Sequence, residues 1–183
     1  MPAKTAVVAY ASPHITYDDW VAGRSSDIDV FEDQLLTWLF DQASTLAARE
    51  HSGPALLALI TPYFEAIGCY LAGKSSKHKE TAFLKSGILA VVPALPTDAL
   101  DLYVTEVRHG FAHEAVFRRV AIHQGAAGCP SFAIMNGLLC VDPWWLLAQA
   151  KQHFSDYVDS LRRGDPPDRC EAFQKFMAIR KAR

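Results

Sequence analysis

Apolar side chains recur at helical spacing after Ser25 and Ser26: Ile28, Phe31, Leu35, Trp38, Leu39 and Leu46 share one stripe, with Gln42 among them. Either serine suits an N-cap, and Asp27, Asp29 and Glu32 suit the positive end of a helix dipole, so the pattern predicts a first helix ending near His51. A second segment, "PALLALITPYFEAIGCYLAG", is almost uncharged apart from Glu65 and predicts the most buried helix, kinked or split at Pro62. Gly68 and Gly73 interrupt it and read as points of close packing. The polar loop "GKSSKHKE" follows, then a shorter third helix, "TAFLKSGILAVVP", stopped by Pro93. "PTDALDLYVTEVRHGFAH" starts with Thr97 as N-cap and continues with Leu100, Tyr103, Val104 and Val107 at helical spacing.

Beyond this point the period changes to alternation. "VFRRVAIH" and "SFAIMNGLLCV" are rich in branched residues, and Asn136-Gly137 is a strong turn signal, so a small β-hairpin is expected near 116–141. Asp142-Pro143 then opens a helix running to Leu161, "RRGDPPDR" links, and a basic helix closes the chain with Phe173, Phe176, Met177 and Ile179 on its apolar side. Residues 1–25 show no helical period and are expected to form an irregular extension packed through Tyr10, Tyr17 or Trp20. The fold class read from this is mainly α: a bundle of about five helices with a small inserted β-hairpin, forming one domain over 26–183.

Half of the 183 residues are hydrophobic and 21% are charged, as one globular domain of ordinary size requires. The apolar runs are too short for a signal peptide and are read as falling short of a membrane span, which predicts a cytoplasmic protein with no membrane partner. Cys69, Cys129, Cys140 and Cys170 are scattered, without zinc-site spacing, and read as reduced, mostly buried thiols. The net charge is −2, yet residues 1–50 hold three basic and eight acidic side chains, so basic patches in the remainder are compatible with an overall acidic chain.

The chemistry concentrates in "EVRHGFAHEAVF", residues 106–117. His109 and His113 are four apart and would share a helix face, but a catalytic metal needs a third ligand, and Glu114 follows the second histidine instead of the first. No metal or cofactor is therefore expected. There is no Gly-x-Ser-x-Gly turn and no phosphate-binding glycine loop. What remains is arginine with histidine. A guanidinium holds phosphate through paired donors and an imidazole moves a proton near neutrality, which suits metal-free phosphodiester cleavage. In RNA the 2′-hydroxyl supplies the nucleophile.

"RHGFAH", an arginine, a polar residue, three further residues and a histidine late in a helix, resembles the motif of the HEPN ribonuclease superfamily. The architectural resemblance covers roughly residues 26–161. It implies a helical homodimer whose two motifs face each other to form one metal-independent RNase site, of the kind found in toxin-antitoxin or defence systems. By residue, it implies Arg108 on the phosphate, His113 as the acid-base group and His109 at the polar position. Arg118, Arg119, Lys74, Lys77 and Lys79 are then candidates to track an RNA backbone, and an antitoxin or regulatory protein is an expected partner. The same resemblance accommodates a non-catalytic dimeric RNA-binding or protein-interaction module. Some toxins of the family carry a tyrosine where this chain has Ala115. A second such spacing, Arg118 to His123, lies in the alternating stretch and lacks the helical context. In an α-helix, residues five apart are rotated about 140° beyond a full turn. Arg108 and His113 therefore meet only if the helix breaks near Gly110 or the site is completed across a dimer interface.

Overall fold

The computed structural model describes residues 8–111 and 116–182. Among these the chain is mainly helical, with seven helices and two small sheets. In place of an irregular extension, Tyr10–Ser12 (β1) pairs antiparallel with Ile15–Thr16 (β2) and leads into helix α1, Tyr17–Val21. Thr16 caps that helix by accepting from the Asp19 N–H. Elements this short leave no measurable period, which is why the sequence conceals them. Trp20 is the buried anchor and donates through Nε1 to Asp27 at 2.7 Å, whereas Tyr10 and Tyr17 stay exposed.

Ser26 and Asp29 form a reciprocal capping box, each side chain meeting the other's backbone N–H. It opens α2, which runs as an α-helix over Asp27–Asp33, widens to a π-helix over Gln34–Phe40 and returns to α over Asp41–Ala47. The wider winding shifts the expected stripe. Gln34 turns inward, where its amide donates to the Ala11 carbonyl and accepts from Arg180 at 2.7 Å, while Trp38 is left 52% exposed. The helix ends at Ala47, short of His51.

Helix α3, Gly53–Ala72, is continuous: Pro62 does not split it. By length and composition alone it could cross a membrane, but more than half of that span is buried within the domain, which accounts for its apolar character. It ends at Gly73, whose φ of 63° closes the helix through N–H bonds to the Cys69 and Tyr70 carbonyls. Helix α4, Glu80–Val91, folds back against it at a spacing only glycine permits. A Cβ on Gly68 would stand 2.2 Å from the Phe83 carbonyl oxygen, and one on Gly87 would stand 1.7 Å from that of Phe64. These reciprocal contacts fix both the register and the separation of the pair.

Helix α5 begins at Thr97, with Pro96 in the cap position one residue before the expected one, runs as an α-helix to Leu102 and continues as a π-helix over Tyr103–Phe111. After it comes a three-stranded sheet rather than a lone hairpin. Phe132–Met135 (β4) and Leu138–Val141 (β5) form the expected hairpin, turning through Asn136 and Gly137, both at positive φ. Val120–Ile122 (β3) joins the other edge of β5 in parallel, a pairing made through a crossover and so invisible to local pattern.

Asp142 caps α6, Pro143–Arg163, accepting from the N–H groups of Trp144 and Trp145 at 3.0 Å. Trp144 in turn donates to the Ala47 carbonyl at 2.8 Å, so this tryptophan packs as a joint between α6 and the end of α2. Helix α7, Pro167–Lys181, closes the chain with Phe173 and Met177 buried and Phe176 and Ile179 half-buried. Phe31 sits at the centre of the core, with its ring 4.4 Å from Tyr70, 5.4 Å from Phe173 and 5.5 Å from Phe154, and so ties α2, α3, α6 and α7 together. None of the four cysteines forms a disulfide; Cys69 and Cys140 are buried and Cys129 and Cys170 half-buried.

In an open helix interior, glycine to alanine stabilises by about 1 kcal/mol. At Gly87 the sign reverses, because the added methyl meets main chain. Gly87→Ala is expected to cost about 3 kcal/mol or more and to lower the melting temperature by roughly 6–12 °C. A thermal melt showing no loss would contradict the close packing.

Candidate functional site

Two contacts join α3 to the π-wound part of α5. The Thr61 and Tyr103 hydroxyls hydrogen-bond at 2.8 Å, and one turn along, Arg108 Nη2 donates to Glu65 Oε2 at 3.4 Å. The spacing is four residues on α3 and five on its neighbour. Residues five apart stack on one face only where the winding is of the i to i+5 kind, so the π-helix is what brings Arg108 over Glu65. The 140° offset expected of an α-helix therefore does not apply to the backbone at Arg108.

Between the two helices lies a cleft of about 600 Å³, lined by Ala58, Thr61, Pro62, Glu65, Val107, Arg108 and Phe111. Its wall is mainly apolar and carries one acid and one base. Pro62 has no N–H to give to the Ala58 carbonyl, so the helix presents a carbonyl there that lacks its usual helical donor. Glu65 is held from the other side by Ser76, whose hydroxyl donates to Oε1 at 2.8 Å. Phe111 is backed by Phe117, with ring centroids 4.8 Å apart and planes at 20°. Arg108 keeps 31% of its side chain exposed and Glu65 keeps 23%, so both reach solvent through the mouth of the cleft.

Of the residues singled out in the sequence, Arg108 is therefore in the cleft, His109 is exposed beside it, and His113 lies outside the described residues. Lys74, Lys77 and Lys79 are exposed on the α3–α4 loop, the same loop that sends Ser76 to Glu65, so they stand at the cleft's end of the molecule. Nearby, Glu80 is held below the usual carboxylate range first by the backbone N–H groups at its own position and at His78, with a smaller contribution from the charge of Arg108.

Neither Arg118 nor Arg119 is among the described residues lining the cleft of Arg108. They are organised by Glu106, two residues and thus roughly half a helical turn away from Arg108. Glu106 is 6% exposed; it accepts the backbone N–H groups of Arg118 and Arg119 at 3.1 and 3.3 Å and the Arg119 Nε at 3.0 Å. Burial pushes its carboxyl up, but these hydrogen bonds and the Arg119 charge outweigh that and leave it below its ordinary value. Arg119 borders a surface depression that includes Asp98 and Asp101.

Sequence reading missed Glu65, Ser76, Phe111 and Glu106 as participants. Glu65 had a signal, being the sole charge in an apolar helix; the others had none that separates them from ordinary surface or core. Among the described residues, no group of three or more His, Cys, Asp or Glu side chains is placed to hold a metal ion. No family model matches the chain, and no curated protein or solved structure matches it.

Because Glu106 fastens the strand that leaves the site, Glu106→Gln should lower stability by about 2 kcal/mol at pH 7, its amide N–H groups facing other donors. The sign with pH follows from the depressed carboxyl. Its contribution is whole above the ordinary value of 4.5 and fades as pH falls through the lower folded-state value. Denaturant titrations should therefore show a constant gap between the two proteins from pH 8 to about 5.5 and a narrowing one below about 4.5. A gap unchanged to pH 3 would contradict the assignment.

Proposed function

We propose that this chain is a metal-independent endoribonuclease of HEPN-like type, acting in the cytoplasm as a homodimer and subject to an antitoxin or other regulatory protein. The observation that carries the proposal is the setting of Arg108. It is the arginine of "RHGFAH", it stands half-exposed in the cleft between α3 and α5, and its ion pair with Glu65 is a single long contact. One contact of 3.4 Å leaves most of the planar fork of five N–H donors for a phosphate.

In the proposed reaction the RNA 2′-oxygen attacks the adjacent phosphorus and the bond to the 5′-oxygen breaks, giving a 2′,3′-cyclic phosphate and a 5′-hydroxyl. His113 takes the proton of the 2′-hydroxyl or supplies one to the departing oxygen, Arg108 stabilises the charge growing on the phosphate, and His109 is the polar accessory. The lysines of the α3–α4 loop add non-specific attraction for the strand. One observation favours a second reading. Glu65 places a carboxylate on the same guanidinium and competes with phosphate for it, as suits a dimeric module that binds RNA or protein without cutting.

Single-stranded RNA incubated in EDTA with the protein separates the two. Cleavage is expected from the unmodified chain, with a loss of at least about 100-fold in both Arg108→Ala and His113→Ala proteins of native circular dichroism. Equal cleavage by all three would overturn the site.

A further inference from the structure

We infer that the cleft beside Arg108 receives an unpaired guanine base of the RNA strand, with Glu65 as the residue that selects it. The inference takes the RNA reading above as its premise and adds a substrate class. Three features of the cleft lead to it.

First, about 600 Å³ falls in the range of small-molecule sites and is ample for a nucleobase. Second, the wall provides a stacking surface. Phe111 lines the cleft and Phe117 supports its ring in near-parallel contact from another side, so the ring is braced. Ala58, Pro62 and Val107 supply the rest of an apolar slot, and a base stacked on an aromatic ring gains binding whatever its identity.

Third, the polar groups are matched to one base edge. Among the described residues, Glu65 is the only carboxylate in the lining. Each of its oxygens already accepts one hydrogen bond, Oε1 from Ser76 at 2.8 Å and Oε2 from Arg108 at 3.4 Å. A carboxylate has about four acceptor positions, so each oxygen retains one. Two adjacent acceptors call for two adjacent donors. Guanine presents N1–H and N2–H side by side, whereas adenine, cytosine and uracil set a single donor beside an acceptor that would face a carboxylate lone pair. Next to the N–H pair guanine carries O6, an acceptor, and next to Glu65 stands Arg108, a donor. The guanidinium has enough N–H groups to meet O6 and a phosphate oxygen together.

The test uses the His113→Ala protein, which leaves the strand uncut, and fluorescein-labelled ribohexamers of uridine with one internal guanosine, inosine or adenosine. Anisotropy titration is expected to give roughly tenfold tighter binding for guanosine than for adenosine. Inosine, which lacks the N2 amino group, should fall between them. Adding Glu65→Gln should erase the guanosine preference, and Phe111→Leu should weaken all three oligomers by about tenfold. The inosine comparison changes only the ligand, so it stands even if a variant folds poorly. Equal affinity for guanosine and adenosine, a preference that survives Glu65→Gln, or no binding of any oligomer overturns the inference. The two readings fail separately. Cleavage by the unmodified protein with no guanosine preference sinks the base site alone. A guanosine preference that depends on Glu65, in a protein whose cleavage does not depend on Arg108 and His113, sinks the nuclease alone.

Discussion

The close approach of α3 and α4, where Gly68 lies against the Phe83 main chain and Gly87 against that of Phe64, is the constraint on which the rest of the structure depends. Its tightness leaves the seven residues from Gly73 to Lys79 to close the hairpin at the end where Ser76 reaches Glu65. Glu65 then meets Arg108 from the opposite helix. A chain of short-range contacts thus links the packing of two helices to the guanidinium that carries the functional proposal. A bulkier residue at either glycine would push α4 outward and loosen the loop.

The second determinant is the winding of α5. A π-helix gives up the best backbone geometry, and such segments tend to occur at functional sites. Here the wider turn makes Tyr103 and Arg108 successive members of one face, one buried and fixed on Thr61, the other at the mouth of the cleft. Glu106, pointing elsewhere on the same turn, accepts the backbone N–H groups of Arg118 and Arg119 and holds the Arg119 side chain outside the described lining of the cleft. Arg108 and Arg119 are in this way divided between two surfaces.

Features set by local chemistry were legible in the sequence. The Ser26 cap, the Asn136-Gly137 turn and the Asp142-Pro143 helix start each depend on residues within a few positions, and the structure has all three. What escaped depends on backbone winding or on distant partners. The π-helical turns shift a stripe without altering the residues in it, so Trp38, read as a member of the apolar stripe, is exposed while Gln34 is buried. Strand β3 pairs across a crossover, and β1, β2 and α1 are too short to display a repeating pattern. The candidate site was legible in part. Arg108 was found by its motif, but its partner Glu65 is 43 positions away and Ser76 has no signature, while His113 lies outside the described residues.

The central claim is that Arg108 turns the donors left over from its long contact with Glu65 to the phosphate of a bound RNA strand. A crystal structure of the protein with a 2′-O-methyl ribohexamer, which binds as RNA but has no nucleophile, tests it directly. The account predicts an Arg108 nitrogen at hydrogen-bond distance from a phosphate oxygen, about 2.7–2.9 Å, with a base lying against Phe111. An oligomer seated elsewhere, with Arg108 on Glu65 alone and the cleft empty, would contradict it.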